Sequence, residues 1–297
     1  MPKKKEPYLL EVLYERDQGH STRRLLVQLE KTLGRPVVTF YTSFNYPVML
    51  EDGDADMLEG VVQKMDLSEG LVLFISSPGG DGLAAERMIN ICRSYSKTEE
   101  FWAVVTGKAK SAATMVCFGA SKILMGVNSE LGPIDPQLTV REEDVLKRFS
   151  VYNIVESYKD LFERAVKEKG NLEPYLLQLS NYDEREIKEF KAALDLSEDI
   201  AVRTLASGMM KGLAKSEINK KIAIFLTPER TKTHGRPIYR DEAMACGLKV
   251  EAWPDDLLDP ANELHVRNNN FVSTLAAKCI ESKTHSFVIP APSSAQR

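Results

Sequence analysis

Between Leu71 and Leu138 the chain twice repeats one plan: a short apolar run, a glycine-bearing turn, then a segment with helical spacing. Leu71–Ser76 is rich in β-branched and aromatic residues and predicts a buried strand. Ser77-Pro78-Gly79-Gly80-Asp81-Gly82 breaks it, and Ala84, Met88, Ile91, Cys92 and Tyr95 then recur at the period of a helix. Phe101–Thr106 is the second strand, Gly107-Lys108-Ala109-Lys110 its turn, and Ser111–Ala120 the second helix. Parallel neighbours need a crossover, usually a helix, so this alternation predicts an α/β fold with a mostly parallel sheet. Ligands of such sheets bind beyond the carboxyl ends of the strands, where both turns fall.

Each helix start carries unpaired N–H groups and the positive end of a helix dipole. Such a start suits a negative charge, either a phosphate or the oxyanion of acyl transfer. Ser111 stands where the second helix begins. Serine is a favoured N-cap, and taken alone Ser111 needs no other role. Its pairing with the Gly79-Gly80 turn on the same sheet edge shifts the balance from a plain cap toward a functional residue.

The segments SSPGGDGLAAERM, GKAKSAATM and SELGPIDPQ, with the later TKTHGRPI and DEAMACGLKVE, resemble the Clp-protease/crotonase superfamily. Within it they are most similar to the serine dehydrogenase proteinase family, kin of signal peptide peptidase A. The resemblance runs from about Leu25 to Glu251. It implies a Clp protease/crotonase-like fold, a mostly parallel sheet with crossover helices and an inserted helical region at about 141–226. It also implies a serine peptidase acting on a peptide or protein substrate without metal or cofactor, and a homo-oligomer, a trimer or larger ring.

Clp proteases place their catalytic histidine in the stretch where this chain has Asp135, and their aspartate in the region where it has His234. The serine dehydrogenase proteinase family has the order Ser–Asp–His, so the two departures match. The resemblance thus implies Ser111 as nucleophile, His234 as general base and Asp135 as the residue that orients the imidazole, a triad being defined by geometry and role. The backbone N–H groups of Ala112 and Gly80 would form the oxyanion hole, beside Gly79. Glycine at position 80 would let the backbone approach substrate without a Cβ in the way. The other histidines, His20, His265 and His285, read as plain surface residues, and an aspartate before proline, as at 135, is otherwise a common turn residue.

Three alternatives stand beside this reading. A Ser–Lys dyad would use Lys147, which lies among charged residues that predict exposure, whereas a lysine base needs burial to lower its pKa. A crotonase-type enzyme binding acyl-coenzyme A would need glutamates as acid and base, and no well-placed pair is evident. A non-catalytic scaffold on the same fold would hold the same three residues unaligned.

Elsewhere, Ser21–Leu33 predicts a first helix closed by Gly34, Pro36–Thr42 a first strand, and Met57–Met65 a second amphipathic helix. Lys122–Met125 predicts a short strand. Long helices are predicted at Val145–Val166 and Asp183–Leu205, shorter ones at Ser216–Leu226 and Arg240–Cys246, and a last one at Asn262–Ala277. The expected organisation is a tail at 1–20, a peptidase domain at 21–252, and a C-terminal helix with a disordered tail at 253–297. The 297 residues carry a net charge of −4, which disfavours a nucleic-acid partner held by bulk positive charge. No run of about 18 apolar residues occurs, so no membrane span is predicted. The scattered cysteines Cys92, Cys117, Cys246 and Cys279 lack any CxxC spacing, and a cytoplasmic location is expected.

Overall fold

The computed structural model describes residues 22–142 and 145–292. The expected tail at 1–20, with His20, lies outside the described residues. The first elements follow the sequence pattern: α1 (Arg23–Leu33) ends at Gly34, whose φ of 66° is the left-handed cap, and β1 (Val37–Thr42) follows. Next come α2 (Asp52–Val62), β2 (Leu71–Ser77), α3 (Gly82–Tyr95), β3 (Phe101–Ala109), α4 (Ala112–Phe118) and β4 (Lys122–Met125). The two-residue β5 (Glu130–Leu131) leads to a hairpin, β6 (Gln137–Glu142) and β7 (Val145–Ser150).

A helical block follows, with α5 (Val151–Lys167), α6 (Glu173–Leu179), α7 (Glu184–Ser207), α8 (Lys215–Lys221), α9 (Ala223–Leu226) and α10 (Pro228–Thr231). The chain closes with α11 (Arg240–Ala245), β8 (Val250–Ala252), α12 (Asp255–Thr274), β9 (Ala276–Ser282) and β10 (Ser286–Pro290).

The central sheet has the order β10-β9-β1-β2-β3-β4-β8, with β5 added to β3. From β1 to β8 all pairs are parallel, while β9 and β10 run antiparallel at one edge. Period-two alternation divides its side chains between two layers. Val38, Phe40, Leu73, Ile75, Ala103 and Val105 join the large core against α2, α3 and α4. Val37, Val72, Phe74, Val104 and Leu124 face the opposite way and meet Leu25, Leu29, Leu257 and Leu264 of α1 and α12. Helices thus cover both faces, the usual state of a parallel sheet. The α/β architecture, its crossover helices and the helical block are those expected from the sequence.

Three segments depart from expectation. The predicted helix from Val145 begins only at Val151, because 145–150 pairs with 137–142 as β7 on β6. Gly107–Ala109 is no turn but the end of β3, held by pairing of Ala109 with Ser77 and with Leu131. The last helix starts earlier and ends at Thr274, after which β9 and β10 enter the central sheet where a tail was expected. Residues 293–297 of that tail lie outside the described residues.

Candidate active site

The site is built at the carboxyl ends of β2 and β3. Extension of β3 to Ala109 delivers Ser111 directly to the start of α4. Ser111 has φ 50° and ψ −123°, a backbone conformation a residue with a Cβ rarely adopts, and its side chain caps nothing. The simple N-cap role open to serine is therefore not the one it plays. Its hydroxyl makes no hydrogen bond within 3.5 Å among the described residues, and the residue is half-buried.

Gly79 packs onto this turn. A Cβ on it would lie 2.3 Å from Lys110 O and 2.9 Å from Ala112 N. Gly80 has a close contact not foreseen in the sequence: a Cβ there would come within 2.2 Å of Leu50 O, so glycine admits the Leu50 backbone. Leu50 N–H donates to Gly79 O, and Leu50 O accepts from Asp81 N–H, at 2.8 and 2.9 Å. Successive residues of an extended strand turn their N–H groups to opposite edges. The Gly80 N–H is thereby turned away from Leu50, toward the edge on which Ser111 begins α4. Ala112 is the first residue of α4, so its N–H has no intrahelical acceptor.

The loop after β5 is locked to the same turn. Thr114 Oγ1 donates to Ala109 O at 2.7 Å and accepts the Gly132 N–H at 3.1 Å. Lys110 Nζ reaches Leu131 O at 3.1 Å and Glu130 Oε1 at 2.9 Å. Desolvation holds the Lys110 ammonium below the usual lysine range, with Glu130 opposing the shift.

Leu131 and Ile238 form an antiparallel bridge with both hydrogen bonds at 3.0 Å. This bridge ties the segment that leads to Asp135 to the one that follows His234. His234 Nδ1 and Asp135 Oδ1 are 2.7 Å apart, with the Asp135 side chain fully buried and the imidazole 26% exposed. An ionised carboxylate can only accept, so a hydrogen bond to it assigns the proton to Nδ1 of the imidazole. Gln137 and Ser150 also contact Asp135. Neither was singled out in the sequence, where Ser150 fell inside the helix expected from Val145. Ser150 had a local signal, since serine directly before a helix is a favoured cap.

The structure therefore brings Asp135 to His234 and Gly79 to Ser111 and Ala112, while Gly80 pairs with Leu50. It does not join Ser111 to His234 by a hydrogen bond. Lys147 lies exposed on β7, paired with Val140, away from the requirement of burial for a lysine base. His285 sits in the β9–β10 turn, its Nδ1 2.8 Å from Thr284 Oγ1. His265 is not a plain surface residue: it packs on Tyr41 and against Gly107, its buried Nδ1 lacks a partner among the described residues, and burial lowers its pKa. A cavity of about 300 Å³ opens beside Asp135 between α5 and α7, lined by Pro136, Tyr152, Val155, Leu194 and Leu226. No cluster of three metal-ligating side chains occurs among the described residues.

No protein-family model matches the chain. An uncharacterized protein of Methanocaldococcus jannaschii is 26% identical over 200 residues, 67% of this chain. The match spans 59% of that protein's length. Among solved structures, a serine-to-alanine mutant of a membrane-bound stomatin-specific protease is similar with a TM-score of 0.31 and 11% identity, over 69% of this chain and 93% of the other. A lysine-to-alanine mutant of that protease in complex with a substrate peptide gives a TM-score of 0.30 and 14% identity, over 69% and 86% of the two chains. No helix among the described residues is long and apolar enough to cross a membrane.

Proposed function

We propose that the chain is a serine peptidase of the Clp protease/crotonase fold, with its triad in the order Ser111–Asp135–His234, as in the serine dehydrogenase proteinase family. The observation that carries the reading is the 2.7 Å contact of His234 Nδ1 with the buried Asp135, across 99 residues of chain. In this reading His234 Nε2 takes the Ser111 proton as Oγ attacks a peptide carbonyl, and later returns it to the leaving amine. Asp135 keeps Nδ1 protonated and stabilises the imidazolium. The Ala112 and Gly80 N–H groups receive the developing oxyanion, each such donor contributing about 10²–10³ in rate.

The gap between Ser111 and His234 closes on substrate binding, since catalytic hydrogen bonds commonly tighten only in the complex. The cavity beside Asp135 would receive a substrate side chain. The peptidase unit spans 21–252, with 141–226 as the helical insertion, and works as a homo-oligomer. Four unpaired cysteines fit a reducing, cytoplasmic setting. The test is digestion of an unfolded protein, with fragments read by mass spectrometry. Fragments from wild type and none from Ser111→Ala are expected; fragments of equal yield from both would refute the assignment.

A further inference from the structure

Asp135 Oδ1 meets His234, and its other oxygen is held by two further groups. Gln137 Nε2 lies 2.6 Å from Asp135 Oδ2, 3.5 Å from Asp135 O and 3.2 Å from Pro136 O. All three neighbours are acceptors, so the amide nitrogen must face them rather than the amide oxygen. Ser150 Oγ donates to the same Oδ2 at 3.1 Å and accepts the Asn153 N–H at 3.4 Å, which fills both of its roles. Gln137 and Ser150 are also cross-strand partners, the base rung of the β6–β7 hairpin. Just outside this rung, the Val151 N–H donates to Pro136 O at 3.0 Å. The carboxylate is thus gripped at one rotation about its Cβ–Cγ bond, at 1% exposure.

We propose that Gln137 and Ser150 are positioning residues that fix the Asp135 carboxylate for His234, so that the base of the β6–β7 hairpin sets the alignment of the site. The consequence for activity rests on the Ser111–Asp135–His234 reading; the consequence for the Asp135–His234 hydrogen bond does not. Removing both donors strands Oδ2 unsatisfied in a buried place, at a cost that rotation of the carboxylate would relieve. Partners of this kind orient an imidazole through the group that binds it, much as outer-shell carboxylates orient metal-bound histidines.

The test uses the full chain with Gln137→Leu, Ser150→Ala, their double variant, and Ser150→Thr, which keeps the hydroxyl. The first readout is the low-field proton resonance of the imidazole Nδ1–H, assigned by its loss in His234→Gln. In the double variant its exchange with solvent should quicken at least about tenfold, and Ser150→Thr alone should keep the wild-type rate. The second readout is labelling of Ser111 by a fluorophosphonate, expected about 10- to 100-fold slower in the double variant.

Gln137→Leu touches no helix cap and keeps the test open should the double variant fail to fold. A wild type without such a resonance, or variants with unchanged exchange, would overturn the proposal. Altered exchange in a protein that is never labelled would leave the positioning role standing and remove the peptidase reading.

Discussion

At the scale of single residues, the site holds strain at Ser111 and a fully satisfied charge at Asp135. A residue with a Cβ at φ 50° costs about 1–3 kcal/mol, and the surrounding turn must hold it there. Glycine would relieve that cost. In urea, Ser111→Gly should be more stable than Ser111→Ala by about 1 kcal/mol, and neither should react with a fluorophosphonate. A Gly variant less stable than the Ala variant would show that the conformation is not strained.

Asp135→Asn keeps shape but, on the proposed Ser111–Asp135–His234 reading, loses the carboxylate that selects the imidazole tautomer. Turnover should fall about 10⁴-fold with little change in melting temperature. A change below tenfold would remove Asp135 from the triad. Asp135 and His234 were singled out in the sequence through the family resemblance of the segments that carry them, and the structure sets them 2.7 Å apart. Gln137 and Ser150 were not, since what makes them matter is a shared acceptor, and no residue spacing encodes that.

At the scale of elements, the hairpin and the last helix explain where sequence reading ran out. Val145, Phe149 and Tyr152 lie four and three apart, as on a helix face, yet the first two sit on β7. Their partners on β6 decided the matter, and strand pairing is a property of two segments rather than one. On α12, His265 faces Tyr41 of β1 and Gly107 of β3, and burial lowers its pKa. Its unfolded-state pKa of about 6.5 therefore lies above its folded one, and the unfolded chain takes up the proton first.

Stability contributed by the neutral ring is present above that range and is lost as pH falls through the folded value. The midpoint of urea unfolding should drop between pH 7.5 and 5.5, and the drop should be smaller in His265→Phe. Equal drops in both proteins would place the titrating group elsewhere.

Across the whole molecule, the sheet is completed by the C-terminal strands β9 and β10. AAKCIES did not read as a core strand because it carries a lysine and a glutamate. Lys278 is nevertheless buried, bonded to Asp54 at 2.9 Å and to Glu51 at 2.7 Å. That ion pair spans 224 residues and is invisible in the local pattern. Lys278→Met leaves the Asp54 charge buried and should cost about 3–5 kcal/mol at pH 7. Burial raises the Asp54 pKa, with Lys278 opposing it. A raised folded pKa means that stability is lost as pH rises through it, so the deficit of the variant should shrink as pH falls and Asp54 takes up a proton. A deficit independent of pH would mean that the pair contributes through packing alone.

The parallel order of β1 to β4 was legible, since alternating strands and helices leave few other arrangements. The central claim, an activated serine at 111 served by His234, is tested most directly by fluorophosphonate labelling of wild type, Ser111→Ala and His234→Ala, with folding checked by circular dichroism. Labelling of wild type and its loss in both folded variants are expected. Absence of labelling in wild type, or undiminished labelling in His234→Ala, would contradict that claim, the latter pointing to a base other than His234.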